Sequence, residues 1–71
     1  MKIGRMRIDR VKLIATMAER DMSCTQLAKL TGVSRSTITS VRSGKSCFLE
    51  TALLIADALR VEVEDLLEER K

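Results

Sequence analysis

The sequence predicts a compact all-α domain of five short helices preceded by a short extended segment, and three observations carry that prediction. Apolar residues make up 45% of the chain, yet it has one phenylalanine and no tryptophan or tyrosine, so the core must be built from Leu, Ile, Val, Met and Ala. Such a core suits helix-on-helix packing. Proline is absent and glycine occurs three times, which leaves few interruptions to helical runs. Residues able to cap a helix recur just ahead of apolar residues spaced three and four apart. Seventy-one residues make one domain with no room for a large enclosed active site.

Residues 1–8 form the extended arm or strand, and residues 9–71 form the helical domain. Arg5 and Arg7 alternate with Met6 and Ile8, the period-two pattern of a half-buried strand. With no partner strand in view, this segment is expected to pack loosely, to pair with its counterpart in a dimer, or to hang free as a basic arm. Asp9 can cap a first helix from Arg10 to about Arg20. Val11, Ile14, Ala15 and Ala18 give its apolar stripe at i, i+3, i+4 and i+7, widened by Leu13 and Met17.

Ser23-x-x-Gln26 fits a capping box, so a second helix starts near Cys24, with Met22 and Leu27 placed as a hydrophobic staple. It should stop at Gly32, which takes the left-handed conformation without a Cβ clash. Leu27 and Ala28 face inward, the small Ala28 allowing the next helix to cross closely. Ser34 then caps a third helix, Arg35 to Ser43, in which only Ile38 and Val41 are apolar. A helix so short needs support from behind. Its outer face is hydroxyls and arginines without one acid, a surface suited to phosphates and base edges.

Ser43-Gly44-Lys45-Ser46 reads as a polar loop, after which Phe48 or Leu49 returns the chain to the core. A fourth helix, about Leu49 to Leu59, presents Ala52, Leu53, Ile55, Ala56 and Leu59 as a broad apolar face, with Leu54 and Asp57 further out. A fifth opens at a weak Glu62 cap with acids in its first turn and a Val61–Leu66 staple, and ends in Glu68–Lys71.

Charge is segregated. The net value is +3, but residues 1–49 hold ten Lys/Arg and three Asp/Glu, whereas residues 50–71 hold three and seven. A polyanion would be drawn to the first part and repelled by the second. No apolar run approaches a membrane span and no signal peptide is evident, so the chain is expected in the cytoplasm. Without histidine, Cys24 and Cys47 cannot make the usual four-ligand zinc site, and no metal or cofactor is expected. Both cysteines read as small semi-buried side chains; the competing reading is that Cys24, at a helix N-terminus, is prone to oxidation. No catalytic residues are expected: there is no nucleophile–base constellation. Gly44-Lys45-Ser46 echoes the end of a phosphate loop, but Thr39 stands where its first glycine belongs and no strand precedes it.

The stretch Gln26-Leu-Ala-Lys-Leu-Thr-Gly-Val-Ser-Arg-Ser-Thr-Ile-Thr-Ser-Val-Arg-Ser-Gly-Lys45, followed by Leu49–Leu59, resembles the phage repressor/Cro (XRE-type) helix-turn-helix family. Leu27, Ala28, Gly32, Val33, Ile38 and Val41 fall at the motif's spacings, and the likeness covers about residues 9–67. It implies a compact five-helix repressor-like domain whose helix Arg35–Ser43 lies in the DNA major groove. By position, Arg35, Ser36 and Ser40, with Thr39 as a fourth, would read bases. Ser23, Cys24 and Thr25, with Ser43, Lys45 and Ser46, would hold phosphates.

This sequence departs from the family pattern in three places. Cys24 stands where many members have glutamine. Met17 and Arg42 stand where others pair a base with an acid, which leaves Arg42 to face phosphate. Arg60 takes a place usually given to glycine. The expected function is a sequence-specific transcriptional regulator acting on double-stranded DNA as a homodimer, through either Val61, Val63 and Leu67 or the Met6/Ile8 segment. The alternative is an antitoxin-like or adaptor protein that uses the same fold to hold a protein partner; the outward Leu30 and Leu54 would suit it.

Overall fold

The computed structural model describes residues 5–67. Four α-helices and a two-stranded sheet follow in the order β1 (Arg5–Met6), α1 (Arg10–Glu19), α2 (Cys24–Thr31), α3 (Arg35–Arg42), β2 (Cys47–Phe48) and α4 (Leu49–Leu59), then a 3-10 turn, Val63–Asp65. The core comprises Ile8, Leu13, Met17, Leu27, Ile38, Val41, Cys47, Ala52, Ile55, Ala56, Leu59 and Leu66, and no polar or charged residue among those described is buried.

The helix boundaries follow from the caps. Asp9 Oδ1 accepts from the amides of Val11 and Lys12 at 2.9 and 3.2 Å. Ser23 and Gln26 complete the capping box reciprocally, at 2.9 and 3.2 Å. Gly32 ends α2 at φ 76°, its amide donating to Ala28. Across this turn Thr31 Oγ1 donates to the Leu27 carbonyl and accepts from the Val33 amide, which fixes the angle at which α3 begins.

Five expectations need correction. The N-terminal segment has a partner within the chain: β1 pairs antiparallel with β2, Arg5 opposite Phe48 and Met6 opposite Cys47. Ile8 then bridges Leu67, and the Asp9 amide donates to Leu66 at 2.7 Å. A two-residue strand is too short to leave a periodic signal, so β2 is invisible in the sequence.

In α1 the buried face is Leu13 and Met17, while Val11 is 68% and Ile14 39% exposed and Ala15 and Ala18 are exposed. The helix carries two competing apolar stripes. Two long side chains at i and i+4 fill more core volume than a stripe half made of alanine, and the docking of Ile8 and Asp9 sets the helix rotation to match.

In α4 the buried set is Ala52, Ile55, Ala56 and Leu59, leaving Leu53 46% exposed beside the half-exposed Leu54. Phe48 and Leu49 are exposed too; the residue that returns the chain to the core is Cys47, whose thiol burial holds above its usual pKa although Arg5 opposes the shift.

In place of a fifth α-helix, only the 3-10 turn is formed among the described residues. Glu62 makes no side-chain cap, and the chain leaves the helical path at Leu66–Leu67 to meet Ile8. The expected helix end at Glu68–Lys71 lies outside the described residues.

Candidate nucleic-acid interface

Helix α3 is held at both ends by hydroxyls. Ser34 Oγ accepts from the Thr37 amide at 3.2 Å and donates to Thr37 Oγ1 at 2.9 Å. At the other end the Ser43 hydroxyl donates to the Ser40 carbonyl at 2.7 Å, and the Lys45 amide reaches the same carbonyl at 3.1 Å. From behind, Ile38 and Val41 are both buried. The rest of the helix stands out as a ridge.

A groove flanks the ridge on each side. One, of about 700 Å³, is lined on the ridge side by Ser36 and Ser40 and on the far side by Arg5, Arg7, Lys45 and Ser46. The other, of about 520 Å³, runs between Arg35, Thr39 and Arg42 on the ridge and Ser23, Cys24 and Thr25 at the start of α2. Neither groove contains an acid. Cations and hydroxyls facing a concavity with no opposing carboxylate form a surface for a polyanion.

The hydroxyls are not equivalent. Thr39 Oγ1 spends its proton on the Arg35 carbonyl at 2.9 Å, and Ser43 spends its own on Ser40, so toward a ligand both can only accept. Ser40 has no side-chain partner among the described residues and can donate or accept. Ser23 Oγ accepts from the Gln26 amide and keeps its proton for an outside acceptor. Ser36 Oγ lies 3.4 Å from Ser34 Oγ, a contact at the limit of a hydrogen bond.

Arg35 is exposed in the second groove. Arg42 is exposed and also donates from Nη1 to Cys24 Sγ at 3.6 Å, so that pair links the end of α3 to the start of α2. The contact sets the arginine beside the start of α2 with its side chain exposed.

Arg5 and Arg7 are the groove residues that sequence reasoning missed. Arg5 donates from Nε to Ser46 Oγ and from Nη2 to the Ser46 carbonyl, both at 2.9 Å, with its guanidinium 4.7 Å from the centre of the Phe48 ring. Strand pairing thus fastens a basic segment beside α3. The alternation of Arg5 and Arg7 was the available signal, but their position depended on β2.

A ridge helix, a turn fixed by glycine and a capped helix behind it define a helix-turn-helix with an acid-free face. The chain belongs to the Cro/C1-type HTH DNA-binding domain family, whose model matches residues 12–69. Among solved structures it is similar to the transcriptional regulator VanUg, at 28% identity and a TM-score of 0.74 over 96% of this chain and 91% of that one. It is also similar to part of a mutant hydroxyethylphosphonate dioxygenase, at 29% identity and a TM-score of 0.80 over 93% of this chain. The chain spans only 14% of that enzyme's length. No curated protein matches the chain. Among the described residues, no group of three or more His, Cys, Asp or Glu could hold a metal ion, and no helix is long and apolar enough to cross a membrane.

Proposed function

We propose that the protein is a sequence-specific transcriptional regulator that binds double-stranded DNA in the cytoplasm as a homodimer, residues 9–71 acting as the binding domain with the segment 1–8 alongside. The observation that carries this reading is the ridge of α3 standing between two grooves that contain cations and hydroxyls and no acid. A helix fits the major groove, and the sugar-phosphate strands on either side of that groove would then run along the two concavities.

Arg35 reads guanine through a bidentate pair, and Ser36, Ser40 and Thr39 face neighbouring base edges. Because its proton is used internally, Thr39 reads only as an acceptor, from adenine N6 or cytosine N4. Phosphates are held by Ser23, Cys24 and Thr25 at the start of α2 and by Arg42, Ser43, Lys45 and Ser46 on and after α3, with Arg5 and Arg7 reinforcing the Lys45 side. VanUg, a transcriptional regulator of nearly the same length, supports the assignment.

Selection of binding sites from random duplexes tests it. The expected result is an enriched palindrome with half-sites about 34 Å apart, bound with an affinity that falls steeply with salt. Absence of any enriched sequence would overturn the reading in favour of a partner-binding, antitoxin-like role.

A further inference from the structure

Arg5 and Arg7 reach the same groove by the same route and meet different surroundings there. They stand two apart on an extended segment, so both leave it on the side opposite the half-buried Met6 and the buried Ile8, and both are exposed along the wall facing Ser36 and Ser40. Arg5 is already engaged. Its Nε donates to Ser46 Oγ and its Nη2 to the Ser46 carbonyl, both at 2.9 Å, and its guanidinium carbon stands 4.7 Å from the centre of the Phe48 ring. Nε and Nη2 form the side-on edge of a guanidinium, one of the edges along which it grips a phosphate in a bidentate pair. Ser46 fills that edge. Among the described residues Arg7, by contrast, makes no hydrogen bond or ion pair.

We infer that the two arginines divide the work at this groove: Arg5 is a positioning residue that holds the Lys45–Ser46 loop in place, and Arg7 is a direct contact to a DNA phosphate. This division rests on the DNA-binding reading and gives separate roles to two cations on one wall. Phosphate oxygens only accept, so the wall must offer donors. Ser46 Oγ takes the Arg5 N–H on a lone pair, which leaves its single proton to donate outward. Holding both the hydroxyl and the carbonyl of one residue also restricts the Ser46 rotamer and its peptide plane.

From the other side, the Lys45 amide donates to the Ser40 carbonyl at 3.1 Å. Lys45 and Ser46 are thus pinned between α3 and β1, and little ordering is left for phosphate binding to impose. Arg5 could not clamp a phosphate along its filled edge without releasing Ser46 and undoing that arrangement. Arg7 has nothing to release. With no acid lining the groove, its charge is open to a polyanion.

Lysine substitutions separate the roles, because lysine keeps the charge and lacks the fork. Fluorescence anisotropy of a labelled random-sequence duplex with the full chain, across a salt series, needs no operator. Arg7→Ala should lower the slope of log K against log salt by about 0.9 and weaken binding several-fold. Arg7→Lys should restore both, since an ammonium serves a phosphate as a point charge. Arg5→Lys should do the reverse, weakening binding several-fold at an unchanged slope and shifting the Ser46 amide resonance of the free protein. Ser46→Ala should also weaken binding at an unchanged slope, and in that background Arg5→Lys should cost less than it does alone. All three side chains line the groove outside the core, so circular dichroism should report an unchanged fold. Wild-type affinity in Arg5→Lys, or a loss undiminished by Ser46→Ala, would overturn the positioning role. A wild-type slope in Arg7→Ala would overturn the phosphate contact. Wild-type protein that binds no duplex even at low salt would instead overturn the DNA-binding reading, and both roles with it.

Discussion

Helix α3 buries two side chains, Ile38 and Val41, and is closed at both ends by hydroxyl hydrogen bonds, whereas α4 buries four and begins at Phe48 with no side-chain cap. One helix is positioned by polar contacts at its ends, the other by apolar contacts along its flank. The division follows from what each presents outward. A helix whose surface is offered to a ligand cannot use that surface for packing, so its place must be set by caps and a narrow stripe. Helix α4 has no such duty and can carry the core. Substitutions should therefore separate cleanly, those on the buried face of α4 acting on stability and those on the outer face of α3 acting on binding.

The largest effect should come from α4. Ile55→Ala removes a fully buried side chain from the centre of the domain and should lower the unfolding free energy by about 2–5 kcal/mol, read from urea denaturation. In a 71-residue domain that is a large share of the whole stability. A loss below about 1 kcal/mol would mean that α4 is not the packing helix and would erase the contrast.

Arg35→Ala is the converse probe. Arg35 is exposed, so the urea midpoint should hardly move. Binding to a selected duplex should weaken by about 1–3 kcal/mol while binding to random duplex persists. Equal losses on both duplexes would reduce Arg35 to a phosphate contact and make the α3 ridge an electrostatic surface rather than a reader.

Ser34→Ala lies between the two. Its Oγ satisfies the Thr37 amide and orients the Thr37 hydroxyl, so its loss should cost about 1 kcal/mol of stability. Because the cap also sets the start of the ridge, specific binding should weaken with it, although Ser34 itself need not touch a base. Restored stability and binding in Ser34→Asp would show that the cap, and not the hydroxyl's own contact, is what matters.

The boundaries of α2 and α3 were legible because capping is local: Ser23, Gln26, Gly32 and Ser34 act on amides within a few residues of themselves. The acid-free face of α3 was legible for the same reason, as a property of one short stretch. What the sequence hid was non-local. Whether Leu13 and Met17 or Val11 and Ile14 face the core depends on how α1 is docked, and that docking is set by Ile8 and Asp9 meeting Leu66 and Leu67 more than fifty residues away. Arg5 and Arg7 come to line the groove beside α3 only through a strand of two residues, Cys47–Phe48. The exposure of Phe48, Leu49 and Leu53 is non-local likewise, because an apolar residue next to a buried one reads as core until the helix rotation is known.

The smallest effect concerns how α2 and α4 end. Both stop at a residue in the left-handed conformation, Gly32 at φ 76° and Arg60 at φ 60°. At Arg60 the Val61 amide donates back to the Ala56 carbonyl at 3.0 Å, so the turn is a closed helix terminus made with a side chain that disfavours it. That conformation costs an L-residue about 1–2 kcal/mol, which glycine avoids at the expense of greater freedom in the unfolded chain. Arg60→Gly should accordingly stabilise the domain by less than about 1 kcal/mol. Gly32→Ala should destabilise it by about 1 kcal/mol through the backbone alone, because a Cβ there meets nothing within 4 Å. Opposite signs from the two substitutions, measured as shifts of the urea midpoint, would show that one conformational preference governs both exits. If Arg60→Gly lowered stability instead, the exposed guanidinium would be contributing more against the acids at Glu62, Glu64 and Asp65 than its backbone costs, and α4 would be held by charge at its end as α3 is held by hydroxyls.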